Sequence, residues 1–442
     1  MKSQDHLSNS QNSNFQNPPK RLGKAEFKIL GLSSLGGTLE FYDFIIFIFF
    51  AEYIAHVFFP PQIGEFWAML NTYGAFAAGY FVRPLGGIVM AHFGDKFGRK
   101  NMFMLSILLM VIPTFLLAFI PGFEELGYLA PVLLLLVRVC QGIAIGGELP
   151  GAWVFIREHA PQNHKALYLS SLNCAMALGV LLGSVIALLI NLSFSSEQIA
   201  EWAWRAPFFI GGIFGIIAVF LRRFLQETPV FVQMKATQSL SQFPLKDIFK
   251  KRGISKSIIP SMLITWVLTG CVMVLLLLMP KLMPEILKLS KINMIYAQMV
   301  GIFALALGSI AAGLLADRIG VFKACVIFSL CFCAFSLGFF HFLYASSVSI
   351  ALVSYFVLCF FGGLNSFAPI IMAEIFSPNV RFSGISFSYN IAYAIAGGFT
   401  PQLVFFLNAL ALSGSFTQGI ALYLCLLGFV AIVSVWLVRK RV

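Results

Sequence analysis

The chain has 442 residues, 59% of them hydrophobic and only 11% charged, with a formal net charge of +12. That composition excludes an ordinary soluble globular domain. The positive charge is what basic loops facing anionic lipid would give, so nucleic-acid binding is not needed to explain it.

The first 20 residues are Ser-, Asn- and Gln-rich and almost free of apolar side chains, so residues 1–28 read as a disordered tail. No cleavable signal peptide is expected, because the first apolar run is too long and lacks a small-residue cleavage site. Crossing about 30 Å of hydrocarbon takes roughly 20 apolar residues. Such windows fall at 29–58, 66–94, 101–121, 129–156, 166–192 and 203–226 in the first half. The second half has them at 256–284, 292–316, 321–345, 348–376, 382–411 and 416–438. The expected architecture is all-α, with twelve transmembrane helices in two six-helix bundles at 29–226 and 256–438. Residues 227–255 read as a central loop, a linker plus topology signal, and 439–442 as a short basic tail.

Basic residues orient the spans. With the N-terminus in the cytoplasm, the tail, the central loop (with Arg222 and Arg223 counted in it) and the C-terminal Arg439-Lys-Arg441 all lie inside. Only Arg205, Lys281, Lys288 and Lys291 then fall outside, with Arg83 and Arg138 within spans. Both termini are therefore expected to be cytoplasmic. All eight cysteines sit in apolar spans and read as small hydrophobes. Cys331-Phe-Cys333 is too tightly spaced for zinc without a His partner, and His92, His159 and His164 form no metal constellation.

Between the second and third windows stands Gly94-Asp-Lys-Phe-Gly-Arg-Lys100, and Ala316-Asp-Arg-Ile-Gly320 repeats it between the eighth and ninth. The pairing of Asp95 with Asp317 and of Gly98 with Gly320 indicates a duplicated bundle, one of the architectures of secondary transporters. Gly94 and Gly98 permit close backbone approach, while Asp95 and Arg99 can make charge-assisted bonds to neighbouring helix ends. Together with Glu158, Asp317, Glu374 and Arg381 they are the candidate inner gate.

Charges inside spans cost at least about 2.5–3.5 kcal/mol each at the helix centre, so each invites a functional hypothesis. At about 1.5 Å rise per residue, Arg83 lies roughly 18 Å outward from Asp95, Glu40 about 18 Å from Lys28 and Asp43 about 22 Å from it. Glu148 is roughly 15 Å from Glu158, and Arg138 about 30 Å. Glu40, Asp43 and Glu148 against Arg83 and Arg138 leave one excess negative charge, which one proton would neutralise. A carboxylate that gains or loses an Arg partner in an apolar site can release or bind a proton. Asp43 is the first candidate proton carrier, Arg138 its switching partner, and Glu148 and Glu40 further candidates. Arg83 could bind a substrate carboxylate bidentately. Gln141, Asn173, Gln298, Asn365, Tyr389, Asn390 and Tyr393 could line a central cavity, with Trp266 as an aromatic wall. Arg205 reads as structural or gating.

Four stretches carry a family likeness: Leu39-Glu-Phe-Tyr-Asp-Phe44; Arg83-Pro-Leu-Gly-Gly87 with the following loop signature; Arg138-Val-Cys-Gln-Gly-Ile-Ala-Ile-Gly-Gly-Glu148; and Tyr389 to Pro401. On these the chain resembles the major facilitator superfamily and, within it, the metabolite:proton symporters. Trp204-Arg-Ala-Pro-Phe208 is shared more widely with sugar porters. The resemblance implies two rocking bundles, and an acid of the first helix working with the Arg of Arg-x-x-Gln-Gly in proton coupling. It departs at Phe41, where the family usually has Trp, and at Val321-Phe322, which replace the basic end of the second signature.

The expectation is a proton-coupled importer of a small organic acid or zwitterion in a bacterial inner membrane. It calls for no cofactor and is driven by the proton gradient. Among family substrates (dicarboxylate, tricarboxylate, betaine or proline), the short C-terminal tail tilts towards organic acids. A monomer is the expected functional unit. The rivals are a proton-antiport exporter and, from another class, a membrane-embedded sensor or enzyme.

Overall fold

A computed structural model describes residues 24–250, 255–345, 347–410 and 416–441. Most of the expected tail, Lys251 and Arg252 of the central loop, and Val442 lie outside the described residues. The first-half helices are α1 (Lys24–Phe49), α2 (Glu65–Phe97), α3 (Arg99–Leu117), α4 (Leu129–His159), α5 (Lys165–Ser193) and α6 (Ala206–Arg222). The second half has α7 (Ile258–Val272), α8 (Lys291–Ile319), α9 (Val321–Ala345), α10 (Val348–Phe361), α11 (Arg381–Leu410) and α12 (Phe416–Val438). Hydrocarbon offers no partner for backbone N–H and C=O groups, so long apolar runs satisfy them internally as helices.

Eleven spans are long and apolar enough to cross a bilayer, three of them because α6, α7 and α10 run on into adjoining turns as Ala203–Arg222, Ile258–Leu278 and Val348–Ile375. The other, α11, has 30 residues, but its first ten read Arg-Phe-Ser-Gly-Ile-Ser-Phe-Ser-Tyr-Asn. Two boundaries differ from the sequence reading. Helix α1 already begins at Lys24, so the tail expected through residue 28 is shorter. The central loop carries two helices, Pro229–Ala236 and Pro244–Lys250.

Helices α1–α6 pack together, as do α7–α12. Their tightest seams are built on glycine, and they repeat between the halves. A Cβ on Gly142 of α4 would enter the backbone of Gly79 of α2, and one on Gly146 would strike the carbonyl of Arg83. Six helices on, Gly363, just beyond α10, stands in the same way against Gly308 of α8. Small residues at such crossings let helices approach until dispersion and polar contacts hold them without a hydrophobic drive. The glycines of the two loop signatures also correspond: Gly98 and Gly320 both have positive φ, 123° and 89°.

Beyond α7 the chain runs through a π-helical segment, Met273–Leu278. Two carbonyls there find side-chain donors: Tyr355 Oη donates to Leu275 O at 2.7 Å and Gln298 Nε2 to Leu276 O at 3.2 Å. Gln298, expected at the cavity, therefore braces α7.

The α2–α4 seam has no room for a larger side chain. Gly146→Val should cost about 1–3 kcal/mol or more through overpacking, read as a lower unfolding temperature of the detergent-solubilised protein. An unchanged unfolding temperature would contradict the close crossing.

Candidate functional site

Three acid–arginine pairs lie inside the first bundle, every member 5% exposed or less. Glu40 of α1 faces Arg83 of α2 at 3.8 Å. Asp43, one turn further along α1, meets Arg138 of α4 at 3.3 Å. It also accepts from Thr114 of α3 at 3.1 Å and from Gln141 of α4 at 3.0 Å. Glu148 of α4 meets Arg222 of α6 at 2.7 Å and accepts from Ser106.

The third pair corrects two sequence readings. Arg222, counted with the cytoplasmic loop, is completely buried, and its guanidinium also donates to the carbonyls of Leu32, Ser33 and Phe103. With Arg222 included, three acids balance three arginines, so the excess negative charge disappears. Glu148 is sealed by these partners against α1 at Gly36, one turn before Glu40, an arrangement suited to locking α1, α3, α4 and α6 together. Gln141, placed among the substrate contacts, belongs to Asp43, and its amide also donates to Thr114 at 2.8 Å.

Arg83 is ringed by tyrosines. Tyr389 of α11 accepts from its Nη2 at 3.2 Å. The ring of Tyr393 lies 4.3 Å from its guanidinium carbon, that of Tyr80 5.3 Å and that of Tyr389 5.6 Å. Arg83 Nε and Glu40 Oε2 are nevertheless buried without hydrogen-bond partners. On the side of Arg83 away from the loop signature, Tyr80 and Tyr393 open onto a cavity of about 250 Å³, lined also by Phe76, Met273, Leu277 and Gly397. Asn390 is used between bundles, donating to Gly146 O at 2.8 Å. Trp266 corrects another expectation: its indole donates to Tyr423 of α12 at 3.1 Å, in a helix–helix seam away from the Arg83 ring. Asn365 accepts from Ser366, both amide atoms of Asn173 lack partners, and Phe41 is buried in the main core. Arg205 caps carbonyls of Glu201 and Ile120 and stacks on Trp204.

At the signature end the halves are bolted together. Asp95 accepts from the Ser383 amide at 2.8 Å, and Phe382 packs where Gly94 lacks a side chain. Glu158 takes Arg99 at 2.9 Å and Arg381 at 3.1 Å. Arg99 also donates to Pro378 O at 2.7 Å. Asp317 accepts from the Ala166 and Leu167 amides at 3.0 and 2.9 Å, capping the start of α5. Glu374 receives Arg157 through two bonds of 2.8 and 3.0 Å.

Sequence reasoning missed Arg157 and, more instructively, Glu227 and Thr228. Glu227 caps the start of α3 through the Arg99 and Lys100 amides, and Thr228 donates to Glu158 at 2.6 Å. The signal was Thr228-Pro229, an N-cap residue followed by Pro at the first helical position. The central loop thus contributes contacts to the candidate gate.

Residues 35–401 match the Major Facilitator Superfamily, and the chain belongs to it. It is 31% identical over 391 residues to the inner membrane metabolite transport protein YhjE of Escherichia coli (strain K12), covering 86% of this chain and 88% of that protein. It is 30% identical over 396 residues to the proline/betaine transporter of Salmonella typhimurium, covering 85% and 76%. The fold is shared with the proton:xylose symporter XylE (TM-score 0.76, 18% identity, covering 94% of this chain and 95% of that one). It is also shared with FucP in its outward conformation (TM-score 0.68, 15% identity, covering 95% and 99%). The protein is a multi-pass membrane transporter of small solutes, not an enzyme.

Removing one partner of a buried pair leaves an uncompensated charge and costs about 3–5 kcal/mol, whereas replacing both by apolar groups can be neutral. Arg222→Met alone should abolish monodisperse protein, and Glu148→Leu with Arg222→Met should restore it, as size-exclusion chromatography would report. Equal yields from the single and double variants would contradict a structural lock.

Proposed function

We propose that this member of the Major Facilitator Superfamily imports a small carboxylate-bearing solute, an organic acid or zwitterion, together with a proton across a bacterial inner membrane. The observation that carries the reading is Arg83: a buried guanidinium with an unpartnered Nε, a loose 3.8 Å tie to Glu40, and a tyrosine ring beside a cavity. A carboxylate arriving from that cavity supplies what Arg83 lacks, a bidentate planar partner. Tyrosine faces favour a cationic group on the same solute, which suits a zwitterion. The proline/betaine transporters among the relatives support that choice.

Asp43 carries the proton. Its carboxylate is held by Arg138, Thr114 and Gln141, and taking a proton releases Arg138. Glu40 holds Arg83 until substrate replaces it. Basic loops set the signature end in the cytoplasm, so the bolts there close the inner side while the cavity serves the outer one. Loading proton and solute ties α11 to the first bundle through Tyr389 and Tyr393, and the bundles rock about the site as the inner bolts release. The functional unit is a monomer.

Proteoliposomes with an inward proton gradient should accumulate one of labelled glycine betaine, L-proline, citrate or 2-oxoglutarate. Asp43→Asn should abolish accumulation while retaining exchange without a gradient, and Arg83→Ala should lose both. Faster loss of preloaded compound under the same gradient would replace import by antiport.

A further inference from the structure

The Asp43 and Arg83 pairs are separated by a cavity of about 20 Å³ lined by Asp43, Tyr80, Arg83, Arg138, Gln141 and Ile145, among others. Such a volume holds one water molecule, provided polar groups receive it. They do. Arg83 Nε, Arg138 Nε and Nη2, and Gln141 Oε1 are all buried without a hydrogen-bond partner. The end of the Gln141 amide is not arbitrary: its nitrogen donates to Asp43 at 3.0 Å and to Thr114 at 2.8 Å, which leaves the oxygen as the spare acceptor.

We propose that one resident water occupies this cavity and couples the proton site to the substrate site. The proposal rests on the symport reading above. The demands match water's own inventory. Its two lone pairs accept one N–H from Arg83 and one from Arg138, and its two O–H groups donate to Gln141 Oε1 and an Asp43 oxygen. The water therefore carries the charge of both arginines onto the Asp43 carboxylate. A substrate carboxylate that draws Arg83 away removes one of these donors, so the anionic form of Asp43 loses support and a proton is taken up. Conversely, a proton on Asp43 frees Arg138 and strengthens the positive field that holds the substrate. Binding of either favours the other by the same factor, as linkage requires.

The charged and titratable groups facing this locus are Arg138 of α4, Arg83 and Tyr80 of α2, and Glu40 on the same helix as Asp43. The neutral partners of Asp43 are Thr114 of α3 and Gln141 of α4. Helix α5 meets α1 with uncharged Met176, Gly179 and Gly183. Arg222 of α6 and Glu148 of α4, paired with each other, reach α1 at Gly36, about 10 Å from Asp43 along the helix.

Binding of glycine betaine, L-proline and 2-oxoglutarate to the full-length protein in nanodiscs, at acid and at alkaline pH, tests the relay. Two variants run beside the wild type: Ile145→Phe and Ile145→Met each extend a side chain into the cavity, with every charged group and Gln141 retained. Wild type should bind its solute about 5- to 150-fold more tightly at acid pH, the usual range of coupling. In the variants the ratio should fall below about twofold, with acid-pH affinity kept. A wild-type ratio that persists in both variants overturns the water relay alone. A wild-type ratio near one sinks the symport reading and the relay with it. If neither variant folds, a wild-type structure resolving ordered water decides: one water bridging Arg83 Nε, Arg138 and Gln141 Oε1 is expected, and an empty cavity overturns the proposal.

Discussion

An arginine buried among apolar helices must keep a counter-ion, and the first bundle is organised by that requirement. Arg83, Arg138 and Arg222 each reach one carboxylate, from α1 or α4. The three pairs differ in how completely they are satisfied. Arg222 has Glu148 and three backbone carbonyls. Arg138 has Asp43 but keeps Nε and Nη2 unmatched, and Arg83 has the longest ion contact of the three. A well-packed apolar core would be at least as stable as an incompletely paired one. Stability therefore does not account for the two looser pairs, and Asp43, Arg138 and Arg83 line one small cavity between them.

The second bundle contributes differently. Among the described residues, the buried charges between the two ends belong to α1, α2, α4 and α6. The α11 helix brings neutral groups instead: Tyr389 and Tyr393 to Arg83, Asn390 to Gly146 and the Ser383 amide to Asp95. Tyr389 also meets Trp153 of α4 edge-on at 4.9 Å. One face of α11 thus touches both the tyrosine ring around Arg83 and the contacts at the signature end.

Much of this was legible in the sequence because charge inside an apolar run has no innocent explanation. The rise per residue placed Glu40 near Arg83, and the loop signature with Glu158 and Arg381 marked residues that join the two halves. What failed was information that depends on helix rotation or on the exact end of a span. Arg222 follows an apolar run directly, so it reads as a loop residue, yet the helix carries it inward to Glu148. Trp266 and Gln298 sit on faces turned towards α12 and the π segment, which one sequence cannot reveal. Glu227 acts through backbone amides of another helix, a partnership that leaves no mark at either position.

The central claim is that Asp43 takes the transported proton when solute binds. Infrared difference spectroscopy of the reconstituted protein on addition of its solute reads this directly through the protonated-carboxyl band. The account predicts a band that appears with solute, persists in Glu40→Gln and vanishes in Asp43→Asn. A band that survives Asp43→Asn would contradict it.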